Sequence, residues 1–328
     1  SDIDKTSQWW AILNLFTYLC QKYSAMLKRG LFLFLLLALG MESCSGQQKT
    51  DAKVNASEEP VQKERTFQLP EVPSMLVTPE DRAIYVVQHY WDHFDFSDTA
   101  YIHLPDVTEQ AMCHFRGLMC HSPAPEIEPA LETLYGKAAP HAPMLWHFWE
   151  TMSRYWNDAN SPVRDEDMFI RLCRSVEATP QVEETLKQRA LFARKLAEKN
   201  RVGMKATDFT YTMATGKQAR LSSIRSPYTL LLFFDPDCHT CNAVKDAMKT
   251  SERLAELIQS KQLTLLTIYP DEDIDLWRSR LPQLPKEWIH AYDKGQVLTH
   301  EELYDLSSMP SFYLLDAEKT VWLKDAGW

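Results

Sequence analysis

The sequence lacks an excess of basic charge. Its 35 lysines and arginines are outnumbered by 45 aspartates and glutamates, which leaves a formal net charge of -10. Phosphate backbones are bound by clustered Lys and Arg side chains, and the chain contains no basic stripe with interleaved aromatic residues. The composition therefore argues against nucleic acid as a partner. With 328 residues, 45% of them hydrophobic, the chain has an ordinary globular composition and a length typical of about two domains.

Cysteine is scarce as well, with seven residues scattered over the chain. This number is too small, and the spacing too irregular, for a fold that is held together by disulfides. Each cysteine therefore has to be interpreted from its own surroundings.

The apolar run near the start of the sequence is short. Leu31–Leu39 is about half of the roughly 20 residues that a helix needs to cross a bilayer. The cations Lys28 and Arg29 precede it and small and polar residues follow it, which is the order of a secretory signal peptide. We expect translation to start at Met26, with residues 1–25 as an upstream extension. A longer amphipathic anchor is the alternative.

The signal ends in MESC, at Cys44, where it resembles the lipobox of bacterial lipoproteins. The resemblance implies that residues 26–44 are a lipoprotein-type signal peptide and that Cys44 is lipidated. Met41 and Glu42 depart from the usual pattern, so an ordinary signal peptide or an uncleaved anchor is the alternative. Residues 45–75 are polar and contain proline, which predicts a flexible tether. The expected location is the bacterial cell envelope, periplasmic or surface-exposed, with the anchor in the membrane.

Residues 76–202 show helical periodicity and predict a separate all-α domain. Thr78, Pro79 and Asp81 form a helix start, with a capping Thr, Pro at the first position and an acid at the third. A second helix is predicted around APMLWHFWETMSRYW, and a third from Thr179 onward. The dense aromatic residues keep helical spacing, which favours a hydrophobic core over a ligand groove.

Two groups of possible ligands lie in this helical part. His89 and His93 are four residues apart and would share a helix face, where we expect a solvated polar surface rather than a metal site. Cys113 and Cys120 would lie about 10 Å apart on a continuous helix, beyond the roughly 7 Å of a disulfide. Unless Gly117 breaks the helix, we expect them to be buried free thiols, with a metal site as the alternative.

The stretch LLLFFDPDCHTCNAV carries two cysteines separated by two residues, Cys238 and Cys241. From Gly203 onward the pattern predicts a hairpin that turns at Gly216, a buried strand over 228–234 and a helix after the cysteines. The pair is therefore expected where the chain turns from a buried strand into a helix.

That position suggests a redox role for the pair. The start of a helix favours an anion, because backbone N–H groups are free there and the helix dipole is positive. Cys238 is the predicted nucleophile, since a thiolate attacks disulfides, and Cys241 would resolve the mixed disulfide. A protonated His239 would stabilise the thiolate, whereas Asp235 and Asp237 would oppose its formation. The net direction of these effects stays open.

Further strands are predicted from Leu263, from Trp288 and in a final hairpin that turns near Ala317. The helix DIDLWRSRL separates the first two. Pro310 opens the hairpin, and a proline at a strand start requires a reason. A cis Met309–Pro310 bond placed against the dithiol would supply one.

Together these features resemble the thioredoxin-like family, specifically its TlpA/ResA-type envelope branch. The resemblance rests on the lead GMKATDFTY, the CxxC pair and the Met-Pro dipeptide. It implies an α/β fold over residues 203–328, with a mixed sheet flanked by helices, and thiol–disulfide exchange with protein thiols and disulfides. No cofactor or metal is implied, and an envelope redox partner is expected. The predicted site residues are Cys238, Cys241, His239, Met309 and Pro310.

The sequence departs from the family pattern at several positions. Asp237 stands where Trp is common and Leu232 where a buried acid is common, which leaves proton handling at Cys241 open. The family's last helix would follow Trp328, so we expect either a truncated sequence or another cover for that face. The helical part, in YVVQHYWDHFDFSDTAYI, resembles an uncharacterised domain that precedes thioredoxin folds in bacterial envelope lipoproteins; it implies no activity.

Other functions fit the residues less well than a membrane-anchored thiol–disulfide oxidoreductase. A peroxiredoxin-type peroxidase would have Thr and Pro where this chain has Asp235 and Leu231. A zinc site would require a second Cys or His pair close to Cys238 in sequence, and none is present. The remaining alternative is a lipid-anchored binding module whose CxxC is vestigial or structural.

Overall fold

The computed structural model describes residues 65–158 and 161–325. The expected signal peptide with Cys44, the residues upstream of it and the tether as far as residue 64 lie outside the described residues. Within the described part of the chain, no helix combines the length and the hydropathy that a membrane span requires.

The first described part is helical, as the periodicity predicted. The hydroxyl oxygen of Thr78 accepts a hydrogen bond from the backbone N–H of Asp81 at 3.1 Å and caps the first helix as expected. The aromatic residues form the core: Trp91, Phe115 and Phe148 are buried together. The helices are α1 (Pro79–His89), α2 (Pro105–Cys120), α3 (Ala124–Ala138), α4 (Ala142–Asn157), α5 (Glu166–Ala178) and α6 (Glu184–Ala197), with a 3-10 turn at Thr99–His103.

The prediction of a helix start at Thr179 is wrong. Thr179 ends α5 in an extended conformation, and its hydroxyl donates a hydrogen bond to the Ser175 carbonyl at 2.7 Å. The next helix, α6, begins only at Glu184. The real start of α5 is marked by Asp165, whose carboxylate accepts from the Met168 N–H at 3.0 Å. A Thr-Pro pair can therefore end one helix instead of beginning another.

The two histidines do not share a helix face, contrary to the prediction. α1 ends at His89, so His93 lies in the turn that follows. The His89 ring instead contacts the Asp92 carboxylate, with 2.7 Å between Nδ1 and Oδ2. In the part of the chain that the structure describes, no three His, Cys, Asp or Glu side chains are grouped so that they could hold a metal ion.

The thiols of Cys113 and Cys120 are free, but they are exposed rather than buried. α2 continues through Gly117, so the two cysteines lie seven residues apart on one helix face. That face lies beside the apolar stripe and not within it, because each cysteine directly follows a buried methionine. The buried positions of α2 are Thr108, Ala111, Met112, Phe115 and Met119.

The second part forms a mixed sheet of seven strands in the order β2-β1-β5-β4-β3-β6-β7. β3 pairs in parallel with β4, and β4 with β5, while the other pairs are antiparallel. The structure confirms the predicted fold class. The strands are β1 (Thr210–Met213), β2 (Gln218–Arg220), β3 (Tyr228–Phe233), β4 (Leu263–Tyr269), β5 (Ile289–Tyr292), β6 (Ser311–Leu315) and β7 (Val321–Lys324).

Alternation along β3 divides the hydrophobic core between the two faces of the sheet. Leu230 and Leu232 pack on the face that also holds Cys241, whereas Leu231 and Phe233 pack on the opposite face. The apolar stripe after the cysteines forms two helices and not one, because Ser251 caps a new helix. The helices of this part are α7 (His239–Lys249), α8 (Glu252–Gln259), α9 (Ile274–Arg280) and α10 (Val297–His300).

Candidate redox site

The central strand β3 carries the chain to the candidate site. β3 is an interior strand that pairs with β4 on one side and with β6 on the other. Its carboxyl end therefore has a neighbouring strand on each side. The turn that follows is held by its own residues. The Asp235 carboxylate accepts from the Asp237 N–H at 2.8 Å, and the Asp235 carbonyl accepts from the Cys238 N–H at 3.2 Å. This turn delivers Cys238 to the start of α7.

Cys238 is the capping residue of α7. Its backbone is extended, and its sulfur accepts a hydrogen bond from the backbone N–H of Cys241 at 3.2 Å. A side-chain oxygen normally occupies this position, where it satisfies a free N–H of the first turn. The N–H group and the positive end of the helix dipole both favour a negative charge on the sulfur.

Cys241 lies one turn further along α7 and is only 1% exposed. Burial raises the pKa of its thiol well above the ordinary value, and the hydrogen bond with the Cys238 sulfur and the charge of Asp235 act in the same direction. Both cysteines are free thiols, but Cys238 is only half-buried. The site therefore combines one accessible sulfur with one protected sulfur.

The Met309–Pro310 peptide bond is cis, as predicted. Ser311, which begins β6, stands opposite Phe233 at the end of β3. This register brings the preceding Met-Pro dipeptide beside the cysteine turn. The Met309 carbonyl oxygen lies 3.8 Å from the Cys238 sulfur, and both residues of the dipeptide are half-buried. Cys238 and Met309, which are 71 positions apart in sequence, are thus neighbours in the structure.

His239 and Asp237 are exposed on either side of Cys238. Asp237 forms an ion pair with Arg280 at the end of α9 that was not predicted, with 3.4 Å between Nη2 and Oδ1. Nothing in the sequence indicates this pair, since Asp237 and Arg280 are 43 positions apart. The Leu232 side chain is packed in the apolar core, at the position where the resemblance would place a buried acid.

Asn242 is a second residue that the sequence analysis missed. Its side-chain amide donates to the Pro236 carbonyl at 2.7 Å and to the Cys238 carbonyl at 3.1 Å. These two bonds tie the cysteine turn to the first turn of α7. The available signal was its spacing, because a residue four positions after Cys238 lies above it on the same helix face.

Several solved structures are similar to this chain. A thioredoxin-like protein from Bacteroides caccae ATCC 43185 is 40% identical over 80% of this chain and 95% of that chain, with a TM-score of 0.66. The C-terminal domain of an uncharacterized protein from Bacteroides fragilis NCTC 9343 is 42% identical over 39% of this chain and 91% of that chain, with a TM-score of 0.38. A thiol:disulfide interchange protein from Bacteroides sp. is 21% identical over 38% of this chain and 80% of that chain, with a TM-score of 0.33.

A family model covers the helical part of the chain. It is described as "Domain of unknown function (DUF5106)" and matches residues 43–200. No curated protein matches this chain.

Proposed function

Because this chain belongs to the thioredoxin-like family, we propose that it is a thiol–disulfide oxidoreductase that exchanges electrons with protein thiols and disulfides. The observation that carries the proposal is the 3.2 Å hydrogen bond from the Cys241 N–H to the Cys238 sulfur. It gives the accessible sulfur a partner that favours the thiolate, which is the form that attacks a disulfide. Cys238 is the nucleophile, and Cys241 is the resolving cysteine.

The exchange proceeds in two steps. The Cys238 thiolate attacks one sulfur of a partner's disulfide; a mixed disulfide forms, and the partner's other sulfur leaves as a thiolate that takes up a proton. Cys241 then loses its proton and attacks the Cys238 sulfur, which forms the Cys238–Cys241 disulfide and releases the partner's second sulfur as a thiol. The partner gains two electrons and two protons, and the site is oxidised. The same steps in reverse oxidise a partner dithiol.

The neighbouring residues have supporting roles in this proposal. His239 is exposed at the first position of α7, directly after Cys238, where a positive charge would stabilise the Cys238 thiolate. Met309 and Pro310 form the wall beside the Cys238 sulfur against which a partner's disulfide would lie. The Cys238 sulfur, Met309 and Pro310 are all half-buried. A partner protein must therefore carry its disulfide on an exposed segment that can reach this sulfur.

The lipid anchor belongs to the same proposal. Lipidation at Cys44 would hold the redox site at an envelope membrane, where secreted proteins form their disulfides. Expression of the full chain with labelled palmitate should label the wild type and leave Cys44→Ser unlabelled. Equal labelling of both proteins would exclude Cys44 as the lipid attachment site.

Reversible disulfide formation tests the oxidoreductase proposal. The protein is equilibrated in glutathione buffers that cover about -120 to -270 mV, the range of redox-active dithiols, and its free thiols are counted by alkylation and mass spectrometry. Cys20, Cys44, Cys113 and Cys120 are replaced by Ser in all samples, because these additional thiols would obscure the result. We expect one disulfide to form and open within the range. If it does neither, the chain is a binding module whose CxxC is structural.

Trapping tests the roles of the two cysteines. In the same background, Cys241→Ser should accumulate mixed disulfides between Cys238 and its partners, because no second thiol is left to release them. Cys238→Ser should accumulate few, since Cys241 is buried. Equal accumulation in both variants would contradict the assigned roles. The trapped proteins would also identify the substrates.

A further inference from the structure

Lys245 is a buried cation on α7, one turn beyond Cys241. The residue is only 9% exposed, although lysine is almost never buried without a partner of opposite charge. Its ammonium group donates to the side-chain oxygen of Asn242 at 2.5 Å, which is a neutral acceptor. The Asp246 carboxylate is 4.0 Å from the ammonium and mostly exposed. The local ion pair is therefore weak, and the burial of this charge requires another explanation.

The position of Lys245 connects it to the redox site in two ways. It follows Cys241 by four residues, so the two side chains lie on the same face of α7. Its hydrogen-bond partner Asn242 also holds the carbonyls of Pro236 and Cys238. The ammonium, the amide and the cysteine turn are therefore linked by consecutive hydrogen bonds.

We propose that Lys245 is a positioning residue that supplies the positive charge against which the buried Cys241 thiol ionises when it resolves a mixed disulfide. This inference rests on the proposed function. Resolution requires Cys241 to lose its proton in an apolar environment, which by itself opposes a negative charge. The buried acid that the family commonly has on the preceding strand is absent, because Leu232 occupies its position. A nearby cation compensates for the burial by stabilising the thiolate.

The surrounding charges are consistent with this role. Burial is the main cause that lowers the pKa of Lys245; the charges of Lys249 and Arg280 act in the same direction, and those of Asp246 and Cys241 act against it. Because other positive and negative charges lie near Lys245, the test has to distinguish the effect of Lys245 on Cys241 from the effects of these neighbouring charges. The other groups that act on Lys245 are Asp246 and Lys249 on α7 and Arg280 on α9, and those that act on Cys241 are Cys238 and Asp235.

The two steps of the exchange can be followed separately with 5,5′-dithiobis(2-nitrobenzoic acid). The probe reacts with the reduced full chain in a background in which Cys20, Cys44, Cys113 and Cys120 are all replaced by Ser, so that the buried Cys173 is the one cysteine left besides Cys238 and Cys241. Attack by Cys238 releases the first equivalent of coloured thiolate, and resolution by Cys241 releases the second. Stopped-flow absorbance between about pH 6 and 9 then gives a pH profile for each step, because this range spans the ordinary thiol pKa.

In Lys245→Met we expect the second step to be about tenfold slower at pH 7 and its profile to move up by about one pH unit. Lys245→Arg keeps the charge and should restore most of the rate. Lys249→Met removes the same charge one turn further along α7 and should change the second step less than about twofold, since the distance is greater. If Lys249→Met slows it as much, general helix charge and not Lys245 is responsible.

Circular dichroism melting shows which variants are folded, and Lys245→Gln is the second variant should the methionine variant fail to fold. A folded neutral variant whose second step keeps the wild-type rate and pH profile would overturn the inference. Failure of the proposed function gives a different result, because the wild type would then release no second equivalent. Cys241→Ser must also lose the second step if that step reports resolution.

Discussion

The backbone N–H of Cys241 donates a hydrogen bond to the sulfur of Cys238 at 3.2 Å, so the first cysteine caps the helix that buries the second. This relationship gives the two thiols opposite environments within one turn of helix. The half-buried Cys238 sulfur lies beside a hydrogen-bond donor, whereas the Cys241 sulfur lies in the apolar core. An ordered exchange of electrons follows from this difference.

The difference predicts selective alkylation. Brief treatment of the reduced protein with iodoacetamide at pH 7 should modify Cys238 at least about tenfold faster than Cys241, because only the thiolate reacts and burial raises the pKa of Cys241. Mass spectrometry of the peptides measures both rates. The exposed Cys120 provides an internal reference thiol. Similar rates at Cys238 and Cys241 would refute the assignment.

Arg280 should increase the reactivity of Cys238 indirectly. It pairs with Asp237, and both side chains are about half-exposed, so the effect is small and sensitive to salt. In Arg280→Ala the uncompensated Asp237 charge should slow the alkylation of Cys238 about two- to threefold at low salt. Arg278→Ala, which removes a charge paired with Asp275 on the same helix, is the matched control. A loss that persists in high salt would rule out an electrostatic cause.

His290 should make the folded state sensitive to acid. Burial lowers the pKa of His290, and its hydrogen bond with the Pro285 carbonyl partly offsets this effect. The ring lies 2.8 Å from that carbonyl oxygen and 2.8 Å from the Thr267 hydroxyl. Below pH about 6.5 the unfolded chain binds a proton that the folded chain does not, so stability falls with decreasing pH by up to about 1.4 kcal/mol per unit from this residue.

Urea unfolding at pH 7.5 and 5.5 measures the contribution of His290. His290→Asn should be less stable at pH 7.5 and should lose part of the decrease toward pH 5.5. The exposed His300 is the control, since His300→Gln should keep the full decrease. An unchanged pH dependence in His290→Asn would contradict the prediction.

Asn200 should be important for stability where the helical part meets the sheet. It is 2% exposed with φ 51°; its amide donates to the Leu303 carbonyl at 2.8 Å, and its oxygen accepts from the Thr207 N–H at 2.7 Å. Asn200→Ala leaves both backbone groups without this partner and strains the left-handed backbone, so unfolding should become easier by about 2–4 kcal/mol. Asn200→Gly loses the same bonds without the strain and should be about 1 kcal/mol more stable than Asn200→Ala.

Tryptophan fluorescence during urea unfolding measures both variants. If Asn200→Gly and Asn200→Ala are equally destabilised, the left-handed backbone contributes nothing measurable. If neither is destabilised, the two hydrogen bonds do not hold the helical part to the sheet.

Several predictions based on local spacing were confirmed, although those at Thr179 and at His89 and His93 were wrong. The strand β3, the helix start at Thr78 and the cis bond before Pro310 depend on residues close together in sequence, and each was found. Predictions about burial in the helical part were weaker. Cys113 and Cys120 directly follow the buried methionines of α2 in sequence. Whether such a residue is buried or exposed depends on how the neighbouring helices pack against α2.

The sequence by itself determined the mixed α/β fold, the helical region before it and the position of the two cysteines between a strand and a helix. These features follow from periodicity and capping, which act over a few residues. Only the tertiary structure decided that Met309, Arg280 and Asn200 meet their partners, because strand register and chain crossovers bring distant residues together. It also decided that Lys245 is buried, since burial depends on what packs against a helix and not on the helix alone.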